Sequence, residues 1–215
     1  MAQIFPKSSN KVPRLVLAAL VITVAAVIGG IWYWFSPWYT DVGYAPEQPV
    51  PYSHKLHVTD LGMDCRYCHT GVELSAVAMV PPTQTCMNCH TLAKPDSPKL
   101  KALRASWENK SPMEWVRIHK TPDYAYFNHS VHITAGVGCE SCHGNIAQME
   151  VVQQDQPLSM SWCLDCHRNP APHLRPASAI TTMGYTPPAD QAALGAKLVR
   201  ERNLKPPVTC SGCHR

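Results

Sequence analysis

The stretch Phe127-Asn-His129-Ser-Val-His132-Ile-Thr-Ala-Gly136-Val-Gly138-Cys139-Glu-Ser-Cys142-His143 decides how the rest of the chain is read. It ends in Cys-x-x-Cys-His, the attachment motif of c-type haem. Two thiols three residues apart project from one helical turn. They can reach the two vinyl groups of one porphyrin, and the next residue, His143, is carried under the ring toward the iron. His129 and His132 can ligate iron from the opposite side.

Four further motifs follow the same rule: Cys65-Arg-Tyr-Cys68-His69, Cys86-Met-Asn-Cys89-His90, Cys163-Leu-Asp-Cys166-His167 and Cys210-Ser-Gly-Cys213-His214. Together the five use all 10 cysteines. Random placement at this composition would yield one such motif about 2% of the time. Zinc ribbons favour paired Cys-x-x-Cys knuckles but give no reason for a histidine after every second cysteine. A disulfide framework is equally indifferent to that histidine. Five covalent haem c groups are therefore expected, with His69, His90, His143, His167 and His214 as proximal ligands.

The motifs fall into a duplication. Tyr52-Ser-His54-Lys-Leu-His57 precedes Gly62-Met-Asp-Cys65 and two motifs; Phe127-Asn-His129-Ser-Val-His132 precedes Gly136-Val-Gly-Cys139 and two more. Self-similarity of this kind marks a repeated structural unit. The motif at Cys210 stands outside both copies. Each His-x-x-His pair can serve two different haems, which makes His54, His57, His129 and His132 the first candidates for distal ligands. His119 is the fifth. His173, in a proline-rich segment, is expected to face solvent or a propionate. Methionine can also be axial and raises the potential relative to bis-histidine, so Met149 and Met160 are candidates, Met149 the better placed as an alternative to one histidine. With two protein ligands on most irons, the haems are expected to carry electrons and not to turn over substrate.

Residues 15–35 are uncharged over 21 positions, about 32 Å as a helix and enough to cross a bilayer once. Lys7, Lys11 and Arg14 precede the run, and Trp32, Tyr33, Trp34, Trp38 and Tyr39 cluster at its far end as an interfacial belt. A cleaved signal peptide would have a shorter apolar core and a small-residue cleavage site. The expected organisation is a cytoplasmic tail at 1–14, a transmembrane helix at 15–35, a Pro-rich juxtamembrane connector at 36–53 and an extracytoplasmic pentahaem domain at 54–215. The location is the bacterial cytoplasmic membrane, with the N-terminus inside.

Net charge is +4 over 215 residues. Once the three basic residues ahead of the apolar run are set aside, 16 Lys and Arg face 15 Asp and Glu, so no nucleic-acid footprint is present. With only 3 Phe against 20 Pro, the chain has few of its own means to build an apolar core, and the macrocycles are expected to supply one. Helices are expected after Ser97-Pro98, carrying Leu100, Leu103 and Trp107, and after Thr186-Pro187, carrying Leu194, Leu198 and Val199.

The N-terminal anchor, the five motifs, the segment Pro122-Asp-Tyr-Ala-Tyr-Phe-Asn-His129-Ser-Val-His132 running into Cys139, and Met160-Ser-Trp-Cys163-Leu-Asp-Cys166-His167-Arg168 carry a resemblance. The chain resembles the membrane-anchored pentahaem cytochrome c component of alternative complex III, a bacterial quinol:electron-acceptor oxidoreductase. That resemblance implies a mainly α and irregular fold of c7-like (class III) haem modules with little or no sheet. It also implies an electron-transfer subunit of a respiratory or photosynthetic complex, without a substrate-turnover site of its own. Its neighbours would be an iron–sulfur subunit related to molybdopterin oxidoreductases, multi-span quinol-binding membrane subunits and a mono-haem cytochrome c. Mixed ligation, mostly bis-His with some His/Met, would follow. Electrons would pass to a periplasmic carrier or a terminal oxidase. An anchored multihaem quinol dehydrogenase feeding a periplasmic reductase is the alternative, although those commonly carry four haems. A nitrite-type reductase would need an open iron, typically with lysine in place of a motif histidine, and all five motifs here end in His. Mass spectrometry of the denatured chain is expected to show five covalently retained porphyrins; fewer would contradict the motif assignment.

Overall fold

The computed structural model describes residues 4–35 and 41–214, in two units, Met1–Thr40 and Asp41–Arg215. Trp38 and Tyr39 of the expected aromatic belt, and the 36–40 part of the expected connector, lie outside the described residues.

In the first unit a 3-10 turn at Lys7–Lys11 leads into α1, Val12–Trp34. Pro13 sits in its first turn, where a missing N–H removes no intrahelical bond. The 23 residues rise about 35 Å. This helix is long and apolar enough to cross a membrane, and its side chains are exposed along its length. It begins three residues before the expected span of 15–35, because Val12 and Pro13 extend the helix below Arg14.

The second unit is helical and irregular. It contains α2 (Cys65–Cys68), α3 (Thr83–His90), α4 (Lys101–Asn109), α5 (His129–Ala135), α6 (Glu140–His143), α7 (Met160–Arg168), α8 (Gln191–Glu201) and α9 (Cys210–Cys213), with a π-helical segment at Lys55–Asp60. Among the described residues there is no strand, only isolated bridges between Ala125 and His214 and between Val137 and Leu174. The expected sheet-free architecture is what forms.

Local chemistry explains the short helices. The Asp64 carboxylate accepts from the Arg66 amide at 2.9 Å and starts α2. The Asn128 and Ser159 side chains do the same for α5 and α7. Gly136, at φ +99°, ends α5 in a left-handed conformation that costs glycine little. Ser97-Pro98 opens into a 3-10 turn, Pro98–Leu100, before α4 proper. α8 starts four residues later than the Thr186-Pro187 signal predicted. The reason is Pro188, which pushes Pro187 out of helical space, so that the first helical turn waits for Gln191.

Apolar burial is sparse. Val50, Met87 and Leu103 form one small cluster, with Leu100, Ala102, Met113 and Trp115 against it. Elsewhere only Ala147, Leu174, Ile180 and Leu198 are buried among the described apolar residues. Leu74, Leu92, Val131 and Val208 stand exposed. Residues 41–53, read from the sequence as connector, are strapped to this unit. The Gly43 amide donates to the Gln154 carbonyl at 2.7 Å, the Gln154 amide donates to Tyr44 at 3.0 Å, and Gln48 pairs with the backbone of Val116 in both directions. Gln154 is 2% exposed.

α8 packs on the 3-10 turn Ala171–His173, where the Ala171 carbonyl occupies the space a Cβ at Gly195 would need. A Gly195→Val chain is expected to lose roughly 1–3 kcal/mol of stability, as overpacking against backbone does. Thermal unfolding of the haem-loaded protein measures it.

Candidate functional site

Each Cys-x-x-Cys-His sequence closes into the same helical turn. The histidine amide donates to the carbonyl of the first cysteine at 2.9 Å in His69, 3.1 Å in His143 and 2.9 Å in His214. At His90 and His167 the turn is the C-terminal end of a longer helix, α3 or α7. None of the ten cysteines is paired in a disulfide, and among the described residues no three His, Cys, Asp or Glu side chains converge into a metal cage.

Most of the histidine rings are oriented by main-chain carbonyls at Nδ1. His69 pairs with Met79 at 2.6 Å, His90 with Ala93 at 2.9 Å, His167 with Pro207 at 2.7 Å and His214 with Tyr124 at 3.1 Å. Three of the candidate distal residues follow suit: His57 with Ser53 at 2.8 Å, His132 with Asn128 at 2.7 Å and His129 with Ala76 at 2.9 Å. An Nδ1–H committed to a carbonyl fixes the tautomer and leaves Nε2 with a lone pair for a metal.

Two imidazole nitrogens each about 2 Å from one metal ion place their ring centroids roughly 6 Å apart. His57 and His90 are 6.3 Å apart, His132 and His167 6.1 Å, and His129 and His143 6.4 Å. These separations fit an iron between each pair. His54 is half-buried beside His69 and His57, and its buried Nδ1 has no hydrogen-bond partner. His119 packs edge-on against His143, with centroids 4.4 Å apart and rings at 76°, too close to hold a metal ion between those two rings, and its Nε2 is buried without a partner. The ring beside His214 is that of Tyr124, at 5.6 Å. Met149 is half-buried, and its carbonyl accepts from the Lys55 amide at 3.1 Å, which sets it beside the first His-x-x-His segment. Met160 is 66% exposed, and His173 is exposed on the 171–173 turn.

Burial dominates the electrostatics. It pushes His54 down to about 4 and His143 down to about 3, with neighbouring histidines adding to both. His119 and His132 are lowered for the same first reason. All four rings are therefore neutral at pH 7, the form that ligates iron. Cys142 is raised to about 12 by burial, with Cys166 and Cys163 nearby. Cys65 is lowered to about 7 by a hydrogen bond with Cys139, whose own thiol is raised by the same bond and by burial.

The duplication is geometric as well as sequential. Tyr52 meets His54 edge-on at 4.9 Å and stacks on His57 at 4.4 Å; Phe127 meets His129 edge-on at 4.7 Å and stacks on His132 at 4.5 Å. The copies meet at their first motifs, through the Cys65–Cys139 contact. Cys68 lies near Cys86, and Asn88 donates to the Tyr67 hydroxyl at 3.3 Å. Cys142 lies near Cys163 and Cys166, and Cys163 near Cys213. In space the attachment turns thus run second, first, third, fourth, fifth. Sequence reasoning also missed Arg175 and Glu140, a buried ion pair over the third turn; the one signal in the sequence was Gly138 standing where the other copy has Asp64.

A His132→Ala chain should open one iron position. If an iron lies between His132 and His167, carbon monoxide is expected to perturb its spectrum in that variant and not in the parent.

Residues 125–215 match the family described as cytochrome c7 and related cytochrome c, in which haem is bound covalently as c-type haem. The chain is 28% identical over 169 residues, covering 68% of this chain and 78% of the other, to the menaquinone reductase multihaem cytochrome c subunit of Nitratidesulfovibrio vulgaris (strain Hildenborough). The chain thus carries a c7-like multihaem cytochrome c domain behind one N-terminal apolar helix, and is related to a cytochrome subunit of a menaquinone reductase.

Proposed function

We propose that this chain is the pentahaem electron-transfer subunit of a quinone-linked membrane complex of the alternative complex III type. Cys65 and Cys68, Cys86 and Cys89, Cys139 and Cys142, Cys163 and Cys166, and Cys210 and Cys213 would hold five haem c groups. His69, His90, His143, His167 and His214 would be their proximal ligands. The observation that carries the proposal is the set of facing imidazoles at 6.1–6.4 Å. An iron capped by histidine on both faces has no position for substrate, and what such a haem supplies is one-electron exchange at its exposed edge.

The distal assignments follow from that spacing and from the repeat. His57 would face His90, His132 would face His167 and His129 would face His143. By the symmetry of the copies, His54 would face His69. His119 and Met149 would be the further candidates for a distal position, although His119 stands against His143 and the ring beside His214 is that of Tyr124. α1 would anchor the chain in the cytoplasmic membrane with its basic N-terminal side in the cytoplasm. The haem region would then lie outside, beside an iron–sulfur subunit, quinol-binding membrane subunits and a mono-haem cytochrome c.

In this role electrons enter from quinol and leave to an external carrier or a terminal oxidase. A second direction is favoured by the relative in N. vulgaris, whose name is that of a menaquinone reductase; there the chain would deliver electrons toward menaquinone. The anchored quinol dehydrogenase remains a third arrangement, in which the product is handed to a soluble reductase. The purified membrane complex distinguishes them. Menaquinol added anaerobically is expected to reduce the bound haems at a rate matching turnover. Haems that reduce only from an external donor, and reoxidise on adding menaquinone, would reverse the assigned direction. Haems that respond to neither would remove the quinone link.

A further inference from the structure

The third attachment turn is held by a largely shielded charge pair, Glu140 with Arg175, whereas the first carries exposed pairs of Arg66 with Asp64 and Glu73. Glu140 lies between Cys139 and Cys142 in sequence, and its carboxylate accepts from the Arg175 Nη2 at 2.7 Å and from the Gly184 amide at 2.6 Å. Arg175 is 7% exposed. Its Nη1 donates to the Thr182 carbonyl at 3.0 Å, and its guanidinium lies 4.6 Å from the centre of the Tyr185 ring. The backbone closes the same clamp: the Arg175 amide donates to Gly136 at 2.9 Å and the Cys139 amide donates to Ile180 at 3.0 Å. Gly138 is compelled by this packing, since a Cβ there would run into the guanidinium. In the first copy the equivalent position is Asp64, half exposed and paired with Arg66. The guanidinium lies over Gly138, the residue before Cys139, so the pair stands beside the atoms that would carry the cofactor.

We propose that Glu140 and Arg175 are positioning residues for the third attachment turn, and that their balanced charges set the reduction potential of the one haem held by Cys139, Cys142 and His143. This rests on the assignment of haem to that motif. A buried ion pair is close to neutral as a unit, but removing one member leaves the other charge unpaired in a poorly screened site. The sign of the effect follows. An unpaired carboxylate favours the more positive ferric state and lowers the potential, whereas an unpaired guanidinium favours the ferrous state and raises it.

The test is potentiometric titration of the purified haem-loaded protein in three variants: Glu140→Gln, Arg175→Met and the double substitution. One midpoint potential is expected to rise in Glu140→Gln and to fall in Arg175→Met, with the double variant back near the parent. Arg175→Lys, which keeps the charge but loses the fork, should hold the potential closer to the parent than Arg175→Met does. If Arg175→Met fails to fold, the near-isosteric Glu140→Gln decides alone. An unshifted titration in Glu140→Gln overturns the proposal, as do shifts of the same sign in both single variants. Peptide mass mapping of the same samples separates the two levels. A haem-modified Cys139–His143 peptide with no shift rejects only the charge-setting role. An unmodified peptide rejects the haem assignment itself.

Discussion

The structure depends on holding imidazole rings at a fixed separation, one that fits a metal ion between them. Three pairs stand at nearly one distance although their partners come from different parts of the chain. That agreement is not a packing accident, since each ring is turned by its own hydrogen bond at Nδ1 or held by burial and, in the His-x-x-His segments, by an aromatic residue stacked on the second histidine. The apolar cluster around Val50, Met87 and Leu103 is too small to impose such order on a region of this length. The exposed leucines and valines around the turns are surfaces suited to macrocycles, so the cofactor would complete the core that the side chains leave open.

Two copies of one design meet in the second unit, and they have diverged where they meet. The first His-x-x-His segment is wound as a π-helix and the second as an α-helix. His129 does not stay within its own copy: its amide and its ring both bond to the Ala76 carbonyl, in the loop after the first motif. The second copy is therefore docked on the first through a residue that also faces His143. The contact between Cys65 and Cys139 lies at the same junction, which is why the first motif sits inside the spatial series, between the second and the third, and not at its end.

Much of the site was legible in the residues. The five motifs, the duplicated His-x-x-His segments and the apolar helix are local patterns, and local patterns survive translation into structure. The spatial order of the turns was not legible, because it depends on which copy docks where. The strap at 41–53 reads as a proline-rich connector, and nothing in its composition tells that Gly43 and Tyr44 pair with the backbone of Gln154. The start of α8 was misplaced because a proline signal at Pro187 is cancelled by the proline that follows it. Arg175 carries no local signal of its own, because its burial depends on Gly138, 37 positions earlier, lying beneath it. The motif at Cys210 had no His-x-x-His segment of its own, and the structure sets Tyr124 beside its histidine.

The acceptors that aim the rings are main-chain carbonyls, supplied by Ser53, Ala76, Met79, Ala93, Tyr124, Asn128 and Pro207. A carbonyl is present whatever side chain the position carries. Mutation can therefore exchange most of these seven residues without disturbing the aim, provided the loop keeps its path. Such a scaffold tolerates long drift in sequence while its ligand geometry stays still, and a relative can differ at most positions yet preserve the same set of gaps.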